Sequence, residues 1–383
     1  MVVRFSSSRV GWSVVGVLSF ASSLGLAHDA RAHNGEGHDV AAPDLAAIDA
    51  AASDAAASDA AVRGGHEHPH GHQHPKPPPE PIVLRVATPF AAGHILADTA
   101  AEFERVLEAR TRGRIDVQVS TAVLNEQTIN PAMQACEASE RVADVLITGG
   151  QPLQDYAPAY FFFNGPYVIE DYEHFLRVYD GPLGDEARDL IAANSNLVAF
   201  GTVYRGFRQF TSNAPIESPA DFAGLKLRLP AVPDWIAVWT SLGVQAVQVP
   251  LTGIYDALAT GVADASEGDL TQISSLRLNE VQSHLSLTSH LVGFGMVLAN
   301  ECFVDSLSRR DARRLRRALD DAAEWGSEQM ASRESALLDS LAAAGMEVVT
   351  PDAEAIREAA RPAIDQLFDT VWTVTTWDEV LAQ

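Results

Sequence analysis

The chain has 383 residues, of which 47% are hydrophobic, and a formal net charge of −24. This length has room for about two domains with a sizeable core. The acidic balance argues against nucleic acid or an anionic membrane surface as a partner. Because so acidic a protein repels anions at long range, capture of an anion would require fixed positive groups in a cleft.

The first 32 residues have the pattern of a secretory signal peptide. Arg4 and Arg9 precede an apolar stretch over residues 10–27, and Ala30-Arg31-Ala32 offers a small-residue cleavage site. A membrane anchor is the alternative, but the apolar stretch is short and is broken by Ser and Gly. A cleaved signal peptide predicts a periplasmic protein, with no membrane insertion of the mature chain.

Residues 33–81 are low in complexity, first rich in Ala and Asp and then in His and Pro. Such a composition cannot bury enough apolar surface to offset the entropy of ordering it, which predicts a disordered leader. Five alternating histidines in it could bind zinc, copper or nickel: His66, His68, His70, His72 and His74. The alternative is a solvated linker that binds metal only opportunistically, with no cofactor for the protein itself.

The two cysteines, Cys136 and Cys302, permit a single disulfide in an oxidising compartment. Cys136 is in a helical pattern and Cys302 is at a strand-to-helix junction, so the two need not be adjacent. The sequence leaves their pairing open.

From residue 82 the pattern alternates between strands and helices, which predicts an α/β fold with parallel sheets and helices on both faces. A helix over residues 94–110 carries one apolar stripe, and a long charged helix begins after Ser308. The predicted strands are residues 82–88, 115–120, 143–148, 197–203, 208–211, 225–229, 246–249 and 292–299. Such an arrangement in two halves is typical of a two-lobed binding protein with a ligand cleft between the lobes.

Arg228 is the strongest candidate for a ligand contact. In Leu225-Lys226-Leu227-Arg228-Leu229-Pro230 the apolar and basic residues alternate with period two, and the proline then ends the strand. Open α/β sheets hold their ligands at the carboxyl ends of strands, and a guanidinium matches a carboxylate with two parallel hydrogen bonds. The alternative is a surface arginine paired with an acidic neighbour.

An ordered set of motifs over residues 82–370 resembles the periplasmic solute-binding proteins of TRAP (tripartite ATP-independent periplasmic) transporters, the DctP-type family. The motifs are Thr111-Arg112-Gly113-Arg114-Ile115, Asp171-Tyr172-Glu173-His174, Asp180-Gly181-Pro182, Gly206-Phe207-Arg208, Asp221-Phe222-Ala223-Gly224-Leu225-Lys226-Leu227-Arg228, Tyr255-Asp256-Ala257-Leu258-Ala259-Thr260-Gly261-Val262-Ala263-Asp264 and Glu280-Val281-Gln282.

The resemblance implies a function and a domain layout. It implies an extracytoplasmic binding protein that delivers an organic acid to a TRAP permease with a small and a large membrane subunit, driven by an ion gradient. It implies lobe I from residues 82–204 with 294–333, lobe II from residues 205–293 with 334–383, and a late helix of about residues 308–344 that spans both. It assigns the substrate carboxylate to Arg228, as the strand-end argument does.

Three further residues accompany Arg228 in the second half. Arg208 alternates with Phe207 and Gln209 and is expected to be a second anion contact, with an ion pair between strands as the alternative. Glu267 would orient Arg228 or accept from a substrate hydroxyl, unless it forms a structural salt bridge. The family often has Gln-Glu-Asn-Pro where this chain has Ser266-Glu267-Gly268-Asp269. The amide missing at Gly268 leaves room for a larger ligand or water and puts C4-dicarboxylate specificity in doubt.

The remaining candidates follow strand ends or lie on one helix face. Trp235 begins a helix and would cover a ligand, whereas Trp239 is expected in the core. The positional candidates from the first half are Phe90, His94, Thr148 and Gln151, with a helix cap as the alternative for His94. Family members often touch ligand where this chain has Asn130 and Leu251.

The sequence contains no nucleophile elbow, phosphate loop, dinucleotide fingerprint or helical His-Glu-x-x-His site. It therefore predicts that the protein is not an enzyme. Two other hypotheses remain, a periplasmic metal-handling protein that acts through the histidine tract and a ligand-binding module that serves a sensor.

Overall fold

The computed structural model describes residues 80–383, so the predicted signal peptide and the histidine tract lie outside the described residues. The strands are β1 Ile82–Ala87, β2 Ile115–Ser120, β3 Val145–Thr148, β4 Leu197–Ser212, β5 Lys226–Leu229, β6 Gln245–Gln248, β7 Ala265–Asp269, β8 His284–Asn300 and β9 Glu347–Val349. The helices are α1 Ile95–Thr111, α2 Glu126–Ile129, α3 Gln151–Tyr156, α4 Tyr172–Tyr179, α5 Pro182–Ser195, α6 Pro233–Ser241, α7 Ile254–Ala259, α8 Leu270–Ser275, α9 Glu301–Ser306, α10 Arg309–Ala343, α11 Ala353–Thr370 and α12 Trp377–Leu381.

The strands form one mixed sheet, in the order β2-β1-β3-β8-β4-β7-β5-β6, with β9 beside β8. β1 pairs in parallel with β2 and β3, and β5 pairs in parallel with β6 and β7. β4 and β8 run antiparallel to each other, β4 is also antiparallel to β7 and β8 to β3, and β8 pairs in parallel with β9. The α/β class is confirmed, but the sheet is mixed where parallel sheets were expected, because an alternation of strands and helices does not fix the direction of every strand.

β4 and β8 connect the two halves of the sheet. The two strands predicted over residues 197–203 and 208–211 are one 16-residue strand, and the last predicted strand extends back to His284. The first part of β4 pairs with the end of β8, and the later part pairs with both β7 and the start of β8. Register shifts interrupt the β4–β8 ladder, including one between Tyr204 and Gly206.

The long late helix is confirmed as α10, which has 35 residues. Ser308 caps it, because its hydroxyl accepts a hydrogen bond from the Asp311 N–H at 3.2 Å. Leu315, Leu319 and Met330 belong to the larger hydrophobic core, whereas Leu341 belongs to a second core with residues of α7 and α8. The helix therefore holds the two cores together.

Cys136 and Cys302 form a disulfide, with their Cα atoms 5.3 Å apart. Cys136 lies in an irregular segment before β3, so its predicted helical setting is wrong, while Cys302 lies at the β8–α9 junction as expected. Residues 80–383 include no helix that has both the length and the apolar character needed to cross a membrane.

Candidate functional site

Arg228 lies in β5, one residue before the strand ends, with its side chain in a small cavity. Leu227 and Leu229 point to the core, and Arg228 is only 2% exposed. Its Nε donates to the carbonyl oxygen of Val249 at 2.8 Å. Within residues 80–383 no carboxylate oxygen lies within 4.0 Å of its guanidinium, and no hydrogen bond of Nη1 or Nη2 is found. Burial lowers the pKa of Arg228 to about 10, so the group remains a cation at neutral pH.

Two more buried arginines, both from β4, reach the same cavity, and each has an acidic partner from β7. Arg208 binds Glu267 with two hydrogen bonds, Nε to Oε2 at 2.5 Å and Nη2 to Oε1 at 2.8 Å. Arg205 Nη2 donates to Asp269 Oδ2 at 2.9 Å. Burial acts to raise the pKa of Glu267 and Asp269, but the neighbouring cations outweigh it and hold both values below the usual range. Both acids are therefore ionised in the folded protein.

A β-bulge explains why Arg205 and Arg208 share one cavity. Residues three apart on a regular strand point to opposite faces. Here the pairing with β8 shifts between Tyr204 and Gly206, and Gly206 has a φ of +84°, which favours glycine. The extra residue places the two arginines on the same side. Sequence periodicity alone therefore missed Arg205 as a site residue.

The first half of the chain contributes Glu126 and Gln151 to the cavity. Glu126 begins α2 and accepts a hydrogen bond from the Gly149 N–H at 3.1 Å. Burial raises the pKa of Glu126, and the nearby arginines oppose this only in part. A Cβ on Gly149 would overlap both Glu126 Oε1 and Gln151 Oε1, so these oxygens approach the backbone where only glycine fits. No sequence motif marked Glu126, because a buried acid has no local signature.

The cavity is small, at about 20 Å³. This is room for roughly one water molecule. An organic acid is much larger, so it can enter only if the surrounding groups move apart.

Trp235 and Leu251 line the cavity, and their ligand contacts stay predictions. The Trp235 Nε1–H donates to the carbonyl oxygen of Asn164 at 2.6 Å, and the Arg208 guanidinium lies 5.1 Å from the indole ring. This cation–π contact and the ion pair with Glu267 hold Arg208 in place. Trp239 is fully buried in the core, as predicted.

Several sequence candidates are buried next to the cavity without lining it. These are Phe90, His94, Thr148, Glu267 and Gly268. His94 caps α1 through Nδ1, which accepts from the Leu96 N–H, and its ring stacks on Phe90 at 4.1 Å. Asn130 donates to Asp155 instead. The capping alternative for His94 therefore describes its contacts, and the ligand roles of this group stay predictions.

Glu267 and Gly268 differ from expectation in their contacts. Glu267 binds Arg208 and approaches His290 Nε2 at 3.4 Å, and it forms no hydrogen bond to Arg228. The space expected at Gly268 is filled by Gln272, since a Cβ on Gly268 would overlap the Gln272 amide nitrogen. Gln272 is therefore a cavity-lining amide, four residues after the glycine, that the sequence did not reveal.

The described part of the chain contains no cluster of three or more His, Cys, Asp or Glu side chains arranged to hold a metal ion. The five histidines of the leader lie outside it, so their metal binding stays a prediction.

Comparisons with known proteins agree with these observations. A family model described as bacterial extracellular solute-binding protein, family 7, matches residues 86–370. The chain is 32% identical over 205 residues to the sialic acid-binding periplasmic protein SiaP of Vibrio cholerae, a match that covers 54% of this chain and 64% of SiaP. It is 25% identical to the C4-dicarboxylate-binding periplasmic protein DctP of Rhodobacter capsulatus, with 77% of this chain and 89% of that protein covered.

A solved structure of similar shape is the TRAP periplasmic solute-binding protein of Roseobacter denitrificans with bound L-galactonate. It superposes with a TM-score of 0.70 at 26% identity, and the match covers 77% of this chain and 98% of that one.

Proposed function

Since this chain belongs to the DctP family of periplasmic solute-binding proteins of TRAP transporters, we propose that it captures an organic acid by binding the acid's carboxylate to Arg228. The observation that carries the proposal is a buried guanidinium without an acidic partner among residues 80–383. An unpaired buried charge is costly. A bound carboxylate would remove that cost with two charge-assisted hydrogen bonds.

The ligands named for the relatives support an organic acid. Sialic acid, a C4-dicarboxylate and L-galactonate all carry a carboxylate. Their remaining parts differ, so the shared chemistry is the anionic end. The family is one of transport proteins that bind solutes, not one of enzymes.

We place the two lobes where the resemblance implied, residues 82–204 with 294–333 and residues 205–293 with 334–383. Their crossing points coincide with an irregular glycine pair in the sheet, Gly206 opposite Gly293. A Cβ on Gly293 would approach the Gly206 carbonyl oxygen to 2.6 Å, so the two backbones lie unusually close. We propose a hinge here, which opens the small cavity for the ligand and closes over it.

The partner that the family implies is a TRAP permease with a small and a large membrane subunit, to which the closed protein delivers its ligand. Export to the periplasm by residues 1–32 as a signal peptide completes the proposal. Its support is that several relatives are periplasmic proteins.

The test removes the positive charge of Arg228 at nearly constant volume. Arg228→Met should weaken binding of any organic acid ligand by about 10-fold to 100-fold, the loss of a charge-assisted contact worth roughly 1.5–3 kcal/mol. The measurement is a thermal-shift screen against a panel of organic acids, followed by calorimetric titration of the ligands found.

Lys226→Met is the matched control, because it removes the same charge from the same strand. Lys226 is half-exposed and pairs with Asp264 at 3.2 Å, away from the cavity. It should leave affinity unchanged. If Arg228→Met binds as tightly as the parent, the proposed site is wrong.

A further inference from the structure

The three arginines that line the cavity differ in whether they have an acidic partner. Arg205 and Arg208 are each matched by an ionised carboxylate, Asp269 and Glu267, at hydrogen-bond distance. Arg228 is the only cavity-lining cation in residues 80–383 without an acid within 4.0 Å. The cavity therefore offers one uncommitted positive group, which suffices for a single carboxylate.

The cavity also contains hydrogen-bond acceptors that lack donors. Gln151 is 6% exposed, and its Oε1 has no hydrogen-bond partner in the described part of the chain. Glu126 is 8% exposed, lies in no ion pair within 4.0 Å, and has the Gly149 N–H as its only hydrogen-bond partner there. Both oxygens lie beside Gly149, where they would overlap an added Cβ. Buried acceptors in this state call for donors from a ligand.

The single unpaired arginine and the buried acceptors without donors favour some organic acids over others. A hydroxyl group donates a hydrogen bond to Glu126 or to Gln151. A second carboxylate has no proton to donate at neutral pH, would find no uncommitted cation, and would approach the buried carboxyl of Glu126. The nearby arginines favour the ionised form of Glu126, and in that form it would repel a second carboxylate strongly in this buried site.

On the basis of the proposed function, we infer that Glu126 is a specificity-determining residue and that the ligand is a hydroxylated monocarboxylate. The carboxylate of the ligand binds Arg228, and its hydroxyl groups donate to Glu126 and Gln151. In its ionised form Glu126 repels a second carboxylate and so excludes dicarboxylates. A glutamine at this position would not repel it.

The experiment uses two sets of acids matched in carbon number. D-Erythronate, butyrate, succinate and 4-aminobutyrate form the four-carbon set, and D-gluconate, hexanoate, adipate and 6-aminohexanoate form the six-carbon set. Calorimetric titration of the parent protein should show the hydroxylated monocarboxylate of at least one set binding at least about 10-fold more tightly than the other three, as expected for one charge-assisted hydrogen bond. Failure of both hydroxylated acids to bind, or tighter binding of a dicarboxylate or an amino acid, overturns the inference.

The variant Glu126→Gln keeps the shape and removes the charge. It should reduce the preference for the hydroxylated acid over the matched dicarboxylate by at least about 10-fold, through weaker binding of the first and stronger binding of the second. A merely structural role of Glu126 would weaken all acids equally and leave the ratio unchanged, which overturns the inference. Ligand-free melting of the variant checks that it is folded.

Arg228→Met separates this inference from the function it depends on. If binding is lost in Arg228→Met but the selectivity ratio is unchanged in Glu126→Gln, only the role of Glu126 is wrong. If Arg228→Met binds every acid as the parent does, the carboxylate site itself is wrong.

Discussion

Arg208 and Arg228 line the same cavity and are buried to a similar degree, at 5% and 2% exposure, yet their surroundings differ. Arg208 is held by two hydrogen bonds to Glu267 and lies over the ring of Trp235. Among residues 80–383 the guanidinium of Arg228 forms a single hydrogen bond, to the Val249 carbonyl oxygen. The comparison teaches that burial of an arginine does not by itself indicate a ligand contact. The useful criterion is a buried charge that the protein has left without a partner.

The largest expected effect comes from exchanging each arginine for methionine and measuring stability without ligand. Arg208→Met leaves Glu267 buried without its main partner and should lower the free energy of unfolding by about 3–5 kcal/mol. Arg228→Met removes an unpaired buried charge and should leave that free energy unchanged or raise it. Urea denaturation of both variants measures the difference. Equal losses in the two would contradict the division into paired and unpaired arginines.

A smaller loss, at a distance from both arginines, is expected from the disulfide. Replacing Cys136 and Cys302 by serine frees a loop closed over 166 residues and should cost about 2–4 kcal/mol of stability. Neither cysteine lines the cavity. Ligand affinity, measured by titration calorimetry below the melting range, should therefore match that of the parent. A change in affinity would show that a loss of stability alone alters binding. The affinities of the arginine variants would then have to be corrected for their changes in stability.

The smallest expected effect is the pH dependence of stability that Glu126 confers. Burial raises the pKa of Glu126, so between its unfolded and folded pKa values the folded state holds a proton that the unfolded state has lost. The parent therefore loses stability as pH rises through that window, with a slope of at most about 1.4 kcal/mol per pH unit. Glu126→Gln lacks this loss, so its stability relative to the parent should improve as pH rises above about 4.5. Denaturation curves from pH 4 to pH 7 test the sign.

Glu267 should affect the pH dependence of stability in the opposite direction to Glu126. Its pKa is held below the usual range, so the stability it contributes is fully present above its unfolded pKa and is lost as pH falls toward the folded value. Glu267 is paired with Arg208, whereas Glu126 is in no ion pair among residues 80–383. If Glu267→Gln and Glu126→Gln changed the pH dependence of stability in the same direction, this distinction between the two acids would be wrong.

Some features followed from the chain alone because they are local. Alternating leucines and a terminating proline located Arg228 at a strand end, and β5 is found at Lys226–Leu229. A cap at Ser308 and an apolar stripe indicated the long helix and its first residue, whereas its end near residue 344 came from the family resemblance; the helix is found at Arg309–Ala343. The ordered motifs indicated the family, which the match over residues 86–370 shows. Periodicity, capping and each single motif are properties of neighbouring residues, and the order of the motifs can be read directly along the chain.

Other features were decided only by tertiary structure, because they depend on residues far apart in the chain. β4 and β8 join both halves in one mixed sheet, and a bulge at Gly206 brings Arg205 to the cavity beside Arg208. The fold also pairs Glu267 with Arg208, places Gln272 in the space beside Gly268, and buries Glu126 near the arginines. The alternation of side chains along a strand determines which face is apolar. Strand pairing and bulges determine which charged side chains come into contact, and therefore which arginine is left unpaired and can bind a ligand.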